Sequence, residues 1–114
     1  MNELSKRRCI PCERGSAPLM HSDAERLIAE VPEWAIAMNG KSIHREFKFK
    51  DFKGAFAFVC EVADIAEFEG HHPDIELSWG RVKITLTTHA LKGLSENDFI
   101  MAAKFDRIEI PLDR

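Results

Sequence analysis

The chain reads as an α+β domain: a four-stranded, mainly antiparallel sheet with three helices on one face, in the order α-β-β-α-β-β-α. Three observations predict it. Asn39-Gly40, the strongest two-residue hairpin signal, separates two runs of alternating apolar and polar residues. A second alternating pair of runs flanks Gly80. Between the two hairpins, apolar residues recur at helical spacing from Phe52 until Gly70, too long a pattern for a strand.

In chain order, residues 1–20 carry Pro11, Gly15 and Pro18 without sustained periodicity and read as a loosely ordered N-terminal arm of a single domain spanning 1–114. Ser22 and Glu25 have capping-box spacing, and Leu27, Ile28 and Val31 give the following helix an apolar face ended by Pro32. Trp34, Ile36 and Met38 alternate with alanines as a strand into Asn39-Gly40. The return strand, about Ser42 to Phe49, places Ile43, Phe47 and Phe49 on one face and His44, Glu46 and Lys48 on the other. Asp51 can cap the central helix, whose apolar positions are Phe52, Ala55, Phe56, Val59, Val62, Ala63 and Ala66, with Gly70 as its stop. Ile75, Leu77 and Trp79 share a parity before the turn at Gly80, and Val82, Ile84 and Leu86 continue after it. Ser95 and Asp98 predict a last helix carrying Phe99, Ala102, Ala103 and Phe105 and ending before Pro111.

Composition narrows the function classes. A chain of 114 residues with 45% apolar content builds one modest core, thin enough that self-association would help it. A net charge of −3 without a basic stripe argues against nucleic-acid binding, and no apolar run approaches the roughly twenty residues of a membrane span. The charged N-terminus lacks the apolar core of a secretory signal, so a cytoplasmic location is expected. Three cysteines are too few for a disulfide scaffold. Cys9 and Cys12 have the spacing of half a zinc site but no second pair follows, so reduced thiols are expected and no metal site is assigned.

The residues able to do chemistry cluster between Glu67 and Asp98. Three of the five histidines, His71, His72 and His89, fall there, and imidazole is the side chain that exchanges protons near neutral pH. His71 follows the helix stop, where its ring can lean on the last carbonyls, and Glu67 one turn earlier can orient it. His72 precedes Pro73 and so is extended, which turns the two imidazoles opposite ways. His89 shares strand parity with Lys83, Thr85 and Thr87 rather than with the core face, placing it at a strand end where sites are assembled. Trp79 sits on the apolar parity, as core or as a wall for a flat heterocycle. Asp98 can cap the last helix and face an imidazole at once. His21 and His44 read as surface residues.

The spacing Glu67-x3-His71-His72-Pro73, then five residues to Trp79, nine to His89 and eight to Asp98, resembles the signature of the pterin-4a-carbinolamine dehydratases. Phe47-Lys48-Phe49-Lys50-Asp51-Phe52, Gly70-His71-His72-Pro73-Asp74, Thr88-His89 and Gly93-Leu94 are similar to the small bacterial members, and the resemblance covers roughly Leu27 to Phe105. One departure is Gly70, where many relatives have Asp or Asn, which bears on substrate contacts more than on reaction class.

The resemblance implies dehydration of a 4a-hydroxytetrahydropterin to quinonoid dihydropterin, recycling the cofactor of aromatic amino acid hydroxylases. It implies His71 and His89 as the acid/base pair, His72 as a further catalytic and pterin-binding residue, and Glu67 and Asp98 as supporting acids, while Trp79 as a wall for a flat heterocycle is the substrate contact its own position offers. The pterin would be substrate, with no cofactor or metal, and the chain a homodimer or homotetramer. The alternative is a non-catalytic or molybdopterin-related module that binds a pterin or a protein partner on the same fold.

Overall fold

Residues 3–10 and 17–109 are described by a computed structural model. Helices α1 (His21–Ile28), α2 (Phe52–Glu69) and α3 (Glu96–Asp106) alternate with strands β1 (Ala35–Ile36), β2 (Ile43–Lys48), β3 (Asp74–Ser78) and β4 (Arg81–Leu86) in the expected order. Every pairing is antiparallel, and the sheet order is β1-β2-β4-β3. Two short 3-10 turns, Glu3–Lys6 and His89–Leu91, lie outside that plan.

Alternation explains the layering. Ile43, Phe47, Val82, Ile84 and Leu86 are buried under the helices, while Glu46 and Lys48 of the opposite parity are exposed. The two-residue turn Trp79-Gly80 joins β3 to β4 by the pair Ser78 and Arg81. A side chain at Gly80 would collide with the Phe49 carbonyl at 2.9 Å, and Gly80 O accepts the Phe49 N–H at 2.8 Å, so glycine is needed there for close approach. Asp51 caps α2 by accepting Gly54 N–H at 2.8 Å, and Gly70 ends the helix in the left-handed region with φ 72°.

Several local expectations give way to packing. The Ser22–Glu25 capping box does not form; Met20 is the N-cap of α1, Ser22 lies inside the helix and Glu25 faces His21 instead. The strand expected from Trp34 to Met38 shrinks to Ala35–Ile36, because Trp34 turns into the core to donate its Nε1–H to Asp106 at 2.9 Å while Met38 is fully exposed in the loop. On α2 the buried line is Ala55, Phe58, Val62 and Ala66, leaving Phe52, Phe56 and Ala63 exposed. Two stripes at helical spacing can be drawn on this apolar helix, and docking selected the one containing Phe58. Trp79, on the core parity of its strand, is 68% exposed because it lies in the turn.

The largest departure is at the N-terminus. Residues 3–10, read as part of a loose arm, lie along α3: Leu4 is buried in the core, Lys104 Nζ donates to Ser5 O at 2.9 Å and Arg7 pairs with Glu96 at 2.6 Å. This strap covers a helix whose residues from Asn97 to Ala103 are all buried, which explains why α3 lacks a polar outer face. Residues 11–16, with Cys12, and residues 110–114, with Pro111, lie outside the described residues.

Candidate active site

The site forms where α2 ends, β4 leaves the sheet and α3 begins. Gly70 N–H and His71 N–H both point at the Ala66 carbonyl, at 2.9 and 3.3 Å, so the backbone of His71 helps to close α2. Its ring does not lean on the helix end. Instead Nε2 reaches Asp98 Oδ1 at 2.7 Å, on the first turn of α3. Asp98 is completely buried, and its other oxygen accepts the Thr88 hydroxyl at 2.9 Å and the Ser95 N–H at 3.0 Å. The carboxylate thus caps α3 and holds an imidazole, combining both roles expected of it.

Proton accounting fixes the network. Thr88 spends its single hydroxyl hydrogen on Asp98, so at the 2.7 Å Thr88–Ser95 contact the serine must donate. Ser95 N–H and Thr88 O–H both meet Oδ2 of Asp98, and a carboxylate has no hydrogen to give, so its Oδ1 accepts from His71 and Nε2 carries the hydrogen. In neutral His71 the lone pair available for proton transfer is therefore on Nδ1.

His89 is not on a strand. β4 ends at Leu86, a bridge pairs Thr88 with Gly93, and His89 opens the 3-10 turn as an exposed side chain. His71 and His89 nonetheless line one cleft of about 350 Å³, together with Cys9, Ile10, Glu69, Gly70, Thr88, Ala90 and Asn97. That volume falls at the low end of small-molecule sites. The lining does not include His72, Glu67 or Trp79. Glu67 was expected to orient His71 but bonds His72 Nε2 instead, with both side chains largely in water. Trp79 lies at the far end of the β3–β4 hairpin, roughly 16 Å of strand away from its start beside His72.

Three contributors escaped the sequence reading. Glu69, with a side chain only 2% exposed, accepts Cys9 N–H at 2.9 Å and pairs with Arg8 and Lys104. Burial pushes its carboxyl up, but the Cys9 N–H, Lys104 and Arg8 outweigh this and hold it below the ordinary glutamate range. Asn97 clamps the backbone of Ile10, accepting its N–H at 2.9 Å and donating to its carbonyl at 2.6 Å. Thr88 holds Asp98. Each lies within two residues of a recognised site residue, which was the available signal. Among the described residues no three His, Cys, Asp or Glu side chains converge as a metal site.

The family model for pterin 4 alpha carbinolamine dehydratase matches residues 17–108. The chain belongs to that family. Curated relatives provisionally named pterin-4-alpha-carbinolamine dehydratase include one from Azoarcus sp. strain BH72, 48% identical over 95% of this chain and 92% of its own length. Another, from Alkaliphilus metalliredigens strain QYMF, is 49% identical over 94% of this chain and 96% of its own. The crystal structure of a transcriptional coactivator/pterin dehydratase from Brucella melitensis superposes with a TM-score of 0.75 at 36% identity, covering 78% of this chain and 95% of that one. A pterin dehydratase-like protein identified as a RuBisCO assembly factor in the alpha-carboxysome matches with a TM-score of 0.57 at 27% identity, over 65% of this chain and 86% of that one. Like other chains of the family it has an α+β fold, and no described helix is long and apolar enough to cross a membrane.

Proposed function

We propose that this member of the family dehydrates 4a-hydroxytetrahydropterin to quinonoid dihydropterin, with His71 and His89 exchanging the protons. The observation that carries the reading is the buried Asp98–His71 pair opening onto a cleft that also holds His89. Asp98 keeps a hydrogen on Nε2, so Nδ1 of His71 offers the lone pair of a base. It takes the N5 proton of the substrate. The N5–H electron pair becomes the second bond of C4a=N5, and the C4a–O bond breaks. His89, exposed to bulk water, protonates the departing hydroxyl, which leaves as water. Each positioned transfer typically contributes about 100- to 10,000-fold. The carboxylate 2.7 Å from Nε2 faces the positive charge that His71 carries after accepting the proton.

These steps consist of proton transfers, with the pterin as substrate. His72 and Trp79 lie outside the single-chain cleft, so the reading leans on them less than on His71, His89, Asp98 and Thr88. Recycling of an aromatic amino acid hydroxylase cofactor is the physiological setting that this chemistry fits. The test is a dehydration assay on chemically or enzymatically generated carbinolamine, with purified protein and with chelator present. Turnover that survives EDTA supports the reading. Absence of turnover with a folded protein would redirect attention to a binding role, the kind of second use that the carboxysome relative illustrates.

A further inference from the structure

The cleft has a wall that the family's matched region does not include. The family model begins at residue 17, yet Cys9 and Ile10 line the same cleft as His71 and His89. The curated Azoarcus relative aligns over 108 of the 114 residues, leaving at most six unmatched, so its match reaches into the strap as well.

We propose that the strap Arg7–Ile10 is a substrate-binding wall, that Ile10 packs against the flat face of the bound pterin, and that Asn97 and Glu69 are positioning residues that hold it there. The inference rests on the proposed function and adds a binding surface to it. Both anchors are next to the chemistry. Glu69 lies two residues before His71 and fixes Cys9 N–H, while Asn97 immediately precedes Asp98 and fixes Ile10. Asn97 meets both the donor and the acceptor of one residue, a two-point grip in which its amide oxygen accepts and its NH2 donates, and it is itself buried. The same first turn of α3 therefore orients the imidazole and registers the strap.

Ile10 supplies the recognition argument. It is 65% exposed and lines the cleft, so a flat heterocycle seated against His71 would cover it and remove apolar surface from water. The strap is also tied further back, through the Arg8 guanidinium over the Phe68 ring at 4.5 Å and the Arg7–Glu96 pair, so it forms a preorganised wall.

The experiment has two arms. In the first, Ile10→Ala raises KM roughly tenfold, the loss expected for about two methylenes of contact, and leaves kcat within about twofold. Asn97→Ala, checked for folding by circular dichroism, shows the same split. Because Ile10 is exposed, its substitution tests the wall even if Asn97→Ala fails to fold. In the second arm, iodoacetamide alkylation of the native protein is followed at each cysteine by mass spectrometry, with biopterin, which cannot lose water, as the ligand. Biopterin at ten times its Kd slows labelling of Cys9 about tenfold by occupancy and leaves exposed Cys60 unchanged. Normal turnover with an unchanged KM in Ile10→Ala, or bound biopterin that does not protect Cys9, overturns the wall and leaves the dehydratase reading standing. Failure of the wild-type protein to bind or turn over any pterin removes both.

Discussion

Replacing Asp98 by Asn should invert the proton on His71 while leaving the fold in place. Thr88 O–H at 2.9 Å and Ser95 N–H at 3.0 Å both donate to one oxygen of Asp98, and a backbone N–H cannot turn round. The single carbonyl of an asparagine must therefore take that position. Its NH2 group then sits where Oδ1 lay, 2.7 Å from His71 Nε2, and that nitrogen has to accept. Neutral His71 is driven to the Nδ1–H form and loses the lone pair assigned to the base. The expected fall in kcat is about 100- to 10,000-fold, or roughly 2.7–5.5 kcal/mol of barrier. Stability should change far less. Three hydrogen bonds to a carboxylate become weaker neutral ones, but a buried charge is also removed, so the net is about 1 kcal/mol and roughly 4 °C in Tm. Steady-state dehydration kinetics, thermal denaturation and 15N NMR of the imidazoles read the three quantities. An Asp98→Asn protein that keeps kcat within tenfold of wild type, or whose His71 still carries its hydrogen on Nε2, refutes the reasoning.

Other outcomes follow from the same structure. His71→Ala and His89→Ala should each lower kcat by about 100-fold or more, with the double variant little worse than the worse single one because acid and base act together; near-normal kcat in both would remove the acid/base assignment. His72→Ala should leave kcat within a few-fold of wild type, with any effect falling on KM, since its ring lies outside the cleft against Glu67. Glu69, lowered from 4.5 in the folded chain, contributes stability that is present above pH 4.5 and lost as pH falls through its lowered value. Urea titrations should therefore show Glu69→Gln roughly 1–3 kcal/mol less stable at neutral pH, with the gap closing in acid; a gap independent of pH would contradict the pairing. Exposed Phe52, Phe56 and Phe68 together with the unpaired edge of β3 predict a homodimer or larger, and light scattering that finds only 13.0 kDa at micromolar concentration would exclude it.

Sequence by itself determined the element order, both hairpins, the Asp51 and Ser95 helix starts, the Gly70 stop and the family, because these rest on local rules. Alternation of period two, helical spacing, caps and a left-handed glycine each involve residues a few positions apart. The two histidines that line the cleft were legible for the same reason, as residue types at fixed spacing. What only the tertiary structure decided involves groups far apart in the chain. Which acid meets which imidazole is one case: Glu67 is one turn from His71, yet Asp98 takes that ring because α3 docks against the end of α2, and Glu67 is left to His72. Which stripe of α2 is buried is another, since two were available and the sheet accepted the one with Phe58. The strap is the third. Leu4, Cys9 and Ile10 show no periodicity, and their place along α3 and the cleft comes from partners sixty to ninety residues later, Glu69 and Asn97. Such contacts leave no local pattern, because the partner is brought near only when the whole core closes.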